Sequence, residues 1–371
     1  MKSLRRTIAC VSTGIAVALP LSALAAADDL TPQEKALIPL AKKEGAVISL
    51  ISLFQDRTAK ALEKAFRERY GLGDDFSYTN IRKGTGPSLS MARQEIKANR
   101  VTFDVIMTAG AGFFAGAAKV GAFAKLDSGQ WKYSEKGAKK AGAFFQYPYF
   151  VVGSAYTFQP VWNISCPGME GVNIGSYEEV LSPKYKGKTI ASDVTKSSSY
   201  SFTTLGLKQA GFDIYAMWKK LKAQDPLVAF RTEQKMQMII NCERPIDMWN
   251  LAGRVLQAVE KDPSLAKKLR WGTYKEGQVL LTRQMAVMKG APHPNAGKLF
   301  AEFLLSKDGI ETMQLREGGA IMSYRENYSP PAAVKQYTLD LKDIKVIGIK
   351  DELATNKQFK KMRAEWRKVF K

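Results

Sequence analysis

Along most of the chain, apolar positions follow one of two periods. Some segments repeat them every three to four residues, the stripe of an amphipathic helix. Others are short and apolar throughout, as in a strand buried on both faces. Thr31-Pro32-Gln33-Glu34 reads as a helix start, with Thr as N-cap, Pro at the first helical position and Glu closing a capping box. Leu37, Ile38 and Ala41 mark its inner face, Gly45 supplies a left-handed stop, and Pro39 invites a kink. Residues 46–51 are a buried strand. Residues 58–70 carry Leu62, Phe66 and Tyr70 on one helical face, ended by Gly71. A strand over 76–81, a helix over 88–98, a strand over 103–107 and a small-residue helix over 111–120 follow. This alternation predicts an α/β unit with a mostly parallel sheet.

The pattern turns β-rich at 147–163, and a second alternation begins beyond the turn at 183–187. It predicts strands at 189–191, 227–230 and 245–249, with helices at 200–210, 214–223, 232–240 and 251–259. Residues 277–290 are β-rich again, and helices are expected at 295–305 and 308–315. The tail, 356–370, reads as a basic amphipathic helix, with Phe359, Met362, Trp366 and Phe370 on the face that docks on the protein's own body. Two α/β units joined by two β-rich crossings suggest a hinge with a cleft that closes on a ligand.

The amino terminus departs from both periods. Lys2, Arg5 and Arg6 precede an uncharged apolar run over 7–22, and small residues stand at Ala23, Ala25, Ala26 and Ala27. Basic, apolar and small-residue regions in that order read as a secretory signal over 1–27, cleaved near Ala25 to Ala27. The run is shorter than a spanning helix requires. The protein is therefore expected in the periplasm, with the signal removed. Lobe 1 is expected over 28–160, lobe 2 over 161–276, and a return to lobe 1 with C-terminal helices over 277–371.

Without the signal's three basic residues, 53 Lys and Arg face 35 Asp and Glu, a balance of +18. Basic residues are spread along the chain with no arginine-rich arm, and export argues against a nucleic-acid partner. Cys166 and Cys242 survive cleavage, fall in one unit, and form a possible disulfide in an oxidising compartment. The sole histidine, His293, stands between prolines, which excludes multi-histidine metal sites. There is no nucleophile elbow and no phosphate-binding P-loop signature. Gly110-Ala111-Gly112 lacks the spacing of a dinucleotide fingerprint and reads as close helix packing. No enzymatic activity and no cofactor are expected.

Several segments carry a family resemblance. They are Leu40-Ala41-Lys42-Lys43-Glu44-Gly45, Ala61 to Phe66, Phe103-Asp104-Val105-Ile106, Ser182 to Lys188, and Lys289 to Pro292 through Ala296 to Phe300 and Phe303 to Ser306. In these the chain resembles the periplasmic solute-binding proteins of ABC importers, in the cluster of ferric-iron, thiamine, polyamine, phosphonate and sugar-phosphate binders. The resemblance implies a two-lobed type II periplasmic binding protein fold. Each lobe is then a mostly parallel sheet flanked by helices, with hinge and ligand cleft between them. It further implies a monomer that delivers a small-molecule ligand to an inner-membrane ABC permease.

In such sheets ligands sit beyond the carboxyl ends of the strands, where helix N-termini offer free N–H groups. Candidate contacts are therefore Ser52 and Phe54 after the first strand, Thr85, Gly86 and Ser88 after the second, and Thr108 after the third. Ser88 is expected to cap a helix. In the second unit the candidates are Asp193, Ser199, Tyr200, Trp249 and Asn250. Iron-binding relatives typically use adjacent tyrosines, but this chain reads Asp247-Met248-Trp249-Asn250-Leu251 in the expected stretch. Polyamine sites need acidic loops, and here the loops offer mainly Asp193. Serine- and glycine-rich helix starts in a positive field favour a small organic anion, such as a phosphonate, sugar phosphate or carboxylate. Ferric iron or a polyamine, and an exported enzyme on the same fold, are the alternatives.

Overall fold

The computed structural model describes residues 30–349 and 355–370, without the side chains of 355–357. The expected signal and its cleavage site lie outside the described residues. Thr31 caps α1 (Pro32–Glu44) through the full capping box, and Gly45 ends it in the left-handed conformation. Pro39 sits inside this helix without ending it. Then come β1 (Ala46–Ile51), α2 (Asp56–Tyr70), β2 (Ser77–Asn80), α3 (Thr85–Lys97), β3 (Val105–Thr108), α4 (Ala111–Lys119), α5 (Lys132–Lys140) and β4 (Val151–Tyr156).

The second run contains β5 (Gln159–Asn163), α6 (Tyr177–Val180), β6 (Thr189–Ser192), α7 (Ser198–Gln209), α8 (Ile214–Ala223) and β7 (Leu227–Ala229). It continues with α9 (Thr232–Ile240), β8 (Ile246–Asn250), α10 (Ala252–Lys261) and β9 (Leu269–Trp271). The chain closes with β10 (Gln278–Val279), β11 (Leu281–Val287), α11 (Pro294–Leu305), α12 (Lys307–Glu317), α13 (Ala332–Lys335), β12 (Val346–Ile347) and α14 (Thr355–Phe370).

Two five-stranded sheets result, ordered β2-β1-β3-β11-β4 and β7-β6-β8-β5-β9. In the first, β1 is parallel to β2 and β3, while β11 runs antiparallel to both β3 and β4. In the second, β6 is parallel to β7 and β8, while β5 runs antiparallel to β8 and β9. Each sheet thus has one reversed strand, and in each it is the strand that arrives from the other lobe. The crossings run through Thr157 and Phe158 and through the segment between β9 and β11. The short pair of β10 with β12 lies along the return crossing.

An aromatic cluster packs the first lobe, with the Phe66 ring 5.2 to 5.6 Å from those of Tyr70, Phe76, Phe300 and Phe303. In the second lobe Cys166 and Cys242 form a disulfide. The amphipathic tail, α14, lies on α7 and α8: Phe359 meets Phe202 edge-on at 4.7 Å, and Trp366 meets Trp218 at 5.2 Å. α5 lacks a clear apolar stripe in sequence and forms because Ser134 and Ala138 bury against the body.

Candidate functional site

The carboxyl ends of β1, β2, β6, β7 and β8 face one interlobe cleft of about 790 Å³. That volume suits a small molecule. β1 leads to Ser52 and Leu53, β2 to the loop and first turn at 82–87, β6 to the loop and first turn at 196–200, β7 to the loop and first turn at 230–233, and β8 to Leu251. Five helices begin at this wall. The N-caps of α2, α3 and α9 make no side-chain capping bond, so their first amides remain available. α7 is capped by Ser197, and α10 donates its first amide to Gln159. Converging helix N-termini concentrate positive potential and free N–H groups on one volume.

Side-chain charge has the same sign. Seven cations line the cleft (Arg57, Arg82, Lys83, Lys196, Arg231, Arg254 and Arg283) against two carboxylates, Asp56 and Glu233. Most have partners. Arg57 pairs with Glu260 at 2.7 Å, while Arg82 and Arg254 both reach Glu233, at 2.7 and 3.2 Å. Arg283 differs. It is 4% exposed, and no carboxylate among the described residues lies within ion-pair distance. Its Nη1 donates to Ser154 Oγ at 3.2 Å and to the Ala320 carbonyl at 2.8 Å, and its other nitrogens make no hydrogen bond among the described residues. Its guanidinium lies 3.8 Å over the Tyr156 ring. Burial pushes it down to about 10, partly opposed by Tyr156 and Glu317, so it stays charged at neutral pH.

Local structure explains how an arginine comes to sit there. Where β11 pairs with β4 the register slips between Arg283 and Gln284, leaving Gly153 as an extra residue on β4. Such a bulge re-aims neighbouring side chains. A side chain at Gly153 would run into Met107 Sδ and crowd Met285 Cβ, and glycine leaves that space to the two methionines.

The cleft brings together five of the sequence candidates: Ser52, Thr85, Gly86, Ser199 and Tyr200. Ser199 Oγ accepts from Tyr156 at 2.8 Å, and Ser52 Oγ lies 3.2 Å from Thr108 Oγ1. The other six lie outside the wall. Phe54 is in the core, and Thr108 is buried behind Ser52. Ser88 does not cap: α3 begins at Thr85, placing Ser88 inside its first turn, where the hydroxyl donates to the Lys83 carbonyl. Asp193 accepts from the amide and hydroxyl of Thr195, bracing its own loop. Trp249 is buried and stacks on Tyr200, and Asn250 accepts from the Leu251 amide.

Sequence reasoning missed the arginines, because they come from different elements and meet only in the fold. One signal was available: at alternate positions of a strand, Arg283 puts a charge between the apolar Leu281 and Met285. A second groove of about 490 Å³ lies on the flank between α3, α4, α7 and α14. Its cations, Arg93, Lys97 and Arg363, are not buried, and among the described residues no unpartnered buried group lines it.

No protein-family model matches the sequence, and no curated protein does. Solved structures do match. The periplasmic binding protein AfuA of Actinobacillus pleuropneumoniae, with exogenous fructose-6-phosphate bound, gives a TM-score of 0.69 at 17% identity, covering 87% of this chain and 98% of its own. The substrate-binding protein of an ABC transporter from Agrobacterium tumefaciens gives 0.70 at 13% identity, over 87% and 95%. Iron-bound HitA from Pseudomonas aeruginosa gives 0.65 at 16% identity, over 87% and 99%. The chain has the type II periplasmic binding-protein fold.

Proposed function

We propose that this chain is the periplasmic solute-binding component of an ABC importer, and that its cleft captures a small organic anion for delivery to the permease. The fold and the interlobe cleft support the general role. The single observation that carries the choice of solute is Arg283. A buried guanidinium without a counter-ion has lost its hydration and gained no ion pair, and a bound anion would repair that deficit. A phosphonate, sugar phosphate or carboxylate fits this chemistry. The protein binds and releases its ligand without turning it over.

Ferric iron fits less well. Coordination by tyrosine needs the phenolate, yet burial pushes the hydroxyls of both cleft tyrosines, Tyr156 and Tyr200, to higher pKa. A polyamine would face seven cations. Native mass spectrometry of protein purified from its own organism tests the reading. The expected result is an intact small organic anion that co-purifies with the wild type and is lost from Arg283→Gln. A bound metal, a bound polyamine or a chemically converted ligand would overturn it.

A further inference from the structure

The cleft's positive charge has two poles that are treated differently. At one, Glu233 Oε1 lies 2.7 Å from Arg82 Nη2 and 3.2 Å from Arg254 Nη2. Arg82 follows β2 in the first lobe, while Glu233 and Arg254 belong to the second, so this carboxylate ties cations of both lobes together. Glu317 adds a further carboxylate, 3.7 Å from Arg254 Nη1. Gln55 Nε2 reaches Glu233 Oε1 at 3.5 Å, and Thr232 Oγ1 reaches Oε2 at 3.2 Å. Burial would raise the Glu233 carboxyl, but Arg254 and Arg82 hold it at about 2, so it remains ionised. At the other pole Arg283 has no carboxylate partner.

One pole is thus neutralised from within and the other is open. A second anionic group arriving at Arg82 and Arg254 would meet the like charge of Glu233; Arg254 already directs its nitrogens to Thr232, Gln257 and Glu233, and Arg82 directs Nη2 to Glu233. An uncharged hydroxyl arriving there would find an acceptor in Glu233 and hydrogen-bonding partners in Gln55 and Thr232.

Resting on the reading of the cleft as an anion site, we propose that Glu233 is a specificity-determining residue: it limits the ligand to one anionic group, seated at Arg283, and accepts hydroxyl groups from an uncharged body. Two probes of one scaffold separate the cases, fructose 6-phosphate with one phosphate and fructose 1,6-bisphosphate with two. By calorimetry the wild type is expected to bind the monophosphate about 30-fold more tightly than the bisphosphate. Glu233→Gln should shrink that ratio to about threefold or less, whereas Glu233→Asp, which keeps the charge, should preserve it. Equal binding of the two probes by the wild type, or an unchanged ratio in Glu233→Gln, would overturn the assignment. The underlying anion reading fails by a different result: no binding of either probe or of inorganic phosphate by the wild type, or undiminished monophosphate binding by Arg283→Gln.

Discussion

Lys235 in the second lobe and Arg283 in the first each place a buried cation against a cleft tyrosine. Lys235 Nζ is 4.7 Å from the Tyr200 ring, and Arg283 Cζ is 3.8 Å from that of Tyr156. Lys235 is fully buried and fully used. Its ammonium donates to Ser192 Oγ at 2.7 Å, Asp247 Oδ1 at 3.0 Å and the Trp249 carbonyl at 2.6 Å, which accounts for its three hydrogens. Arg283 has five N–H groups and satisfies only those of Nη1 within the protein. A cation whose donors are all filled holds the fold together. One whose remaining donors face a cavity is prepared for something that arrives later.

The largest test of this contrast is on stability. Lys235→Met leaves Asp247 buried without its cation and should cost about 3–5 kcal/mol of unfolding free energy in urea titration. Adding Asp247→Asn should restore more than half of that loss. A cost below about 1 kcal/mol for the single variant would remove Lys235 from the structural side of the comparison.

Glu302 sharpens the contrast from the opposite charge. It is a buried carboxyl that accepts from the Gln130 amide at 2.9 Å and has no partner at Oε1 among the described residues. Burial, with Glu34 nearby, raises it to about 7. Unlike Arg283, it can relieve its isolation by taking a proton. The native state therefore keeps a proton that the unfolded chain releases near its ordinary carboxyl pKa. Stability from this group is full below about pH 4.5 and is lost as pH rises through about 7, on the order of 3 kcal/mol in all. Glu302→Gln should flatten the fall in melting temperature between pH 5 and 8; an unchanged slope would contradict this.

Arg283 should show the smallest effect on stability and a large one on binding. Arg283→Gln loses two hydrogen bonds but also removes a desolvated charge, so unfolding free energy should move by less than about 1 kcal/mol. Ligand affinity should fall roughly 10- to 100-fold, the worth of charge-assisted hydrogen bonds. A variant that unfolds early yet binds normally once folded would reverse its role with that of Lys235.

Most of the fold was legible because local and tertiary preferences agree. The capping box at Thr31, the stop at Gly45 and the apolar stripe through Phe66 are local signals that packing then uses. α5 was not legible, because its burial rests on a serine and an alanine. The site divided along the same line. Thr85, Gly86 and Ser199 were readable because strand ends and helix starts fix their place. Ser88 misled because a capping residue type four positions beyond the N-cap, Gly84, looks the same in sequence. The meeting of Arg82, Arg254 and Glu233 depends on residues far apart in the chain, and no periodicity encodes it.

Whether Arg283 awaits an anion is decided most directly by a crystal structure of the protein with its co-purified solute, or with fructose 6-phosphate. The anionic group is expected within hydrogen-bonding distance of the unused Arg283 nitrogens, beside Ser199 and the first amides of α3. A solute whose charged group lies in the flank groove, or a cleft filled by a metal or a polyamine while Arg283 remains without a partner, would contradict it.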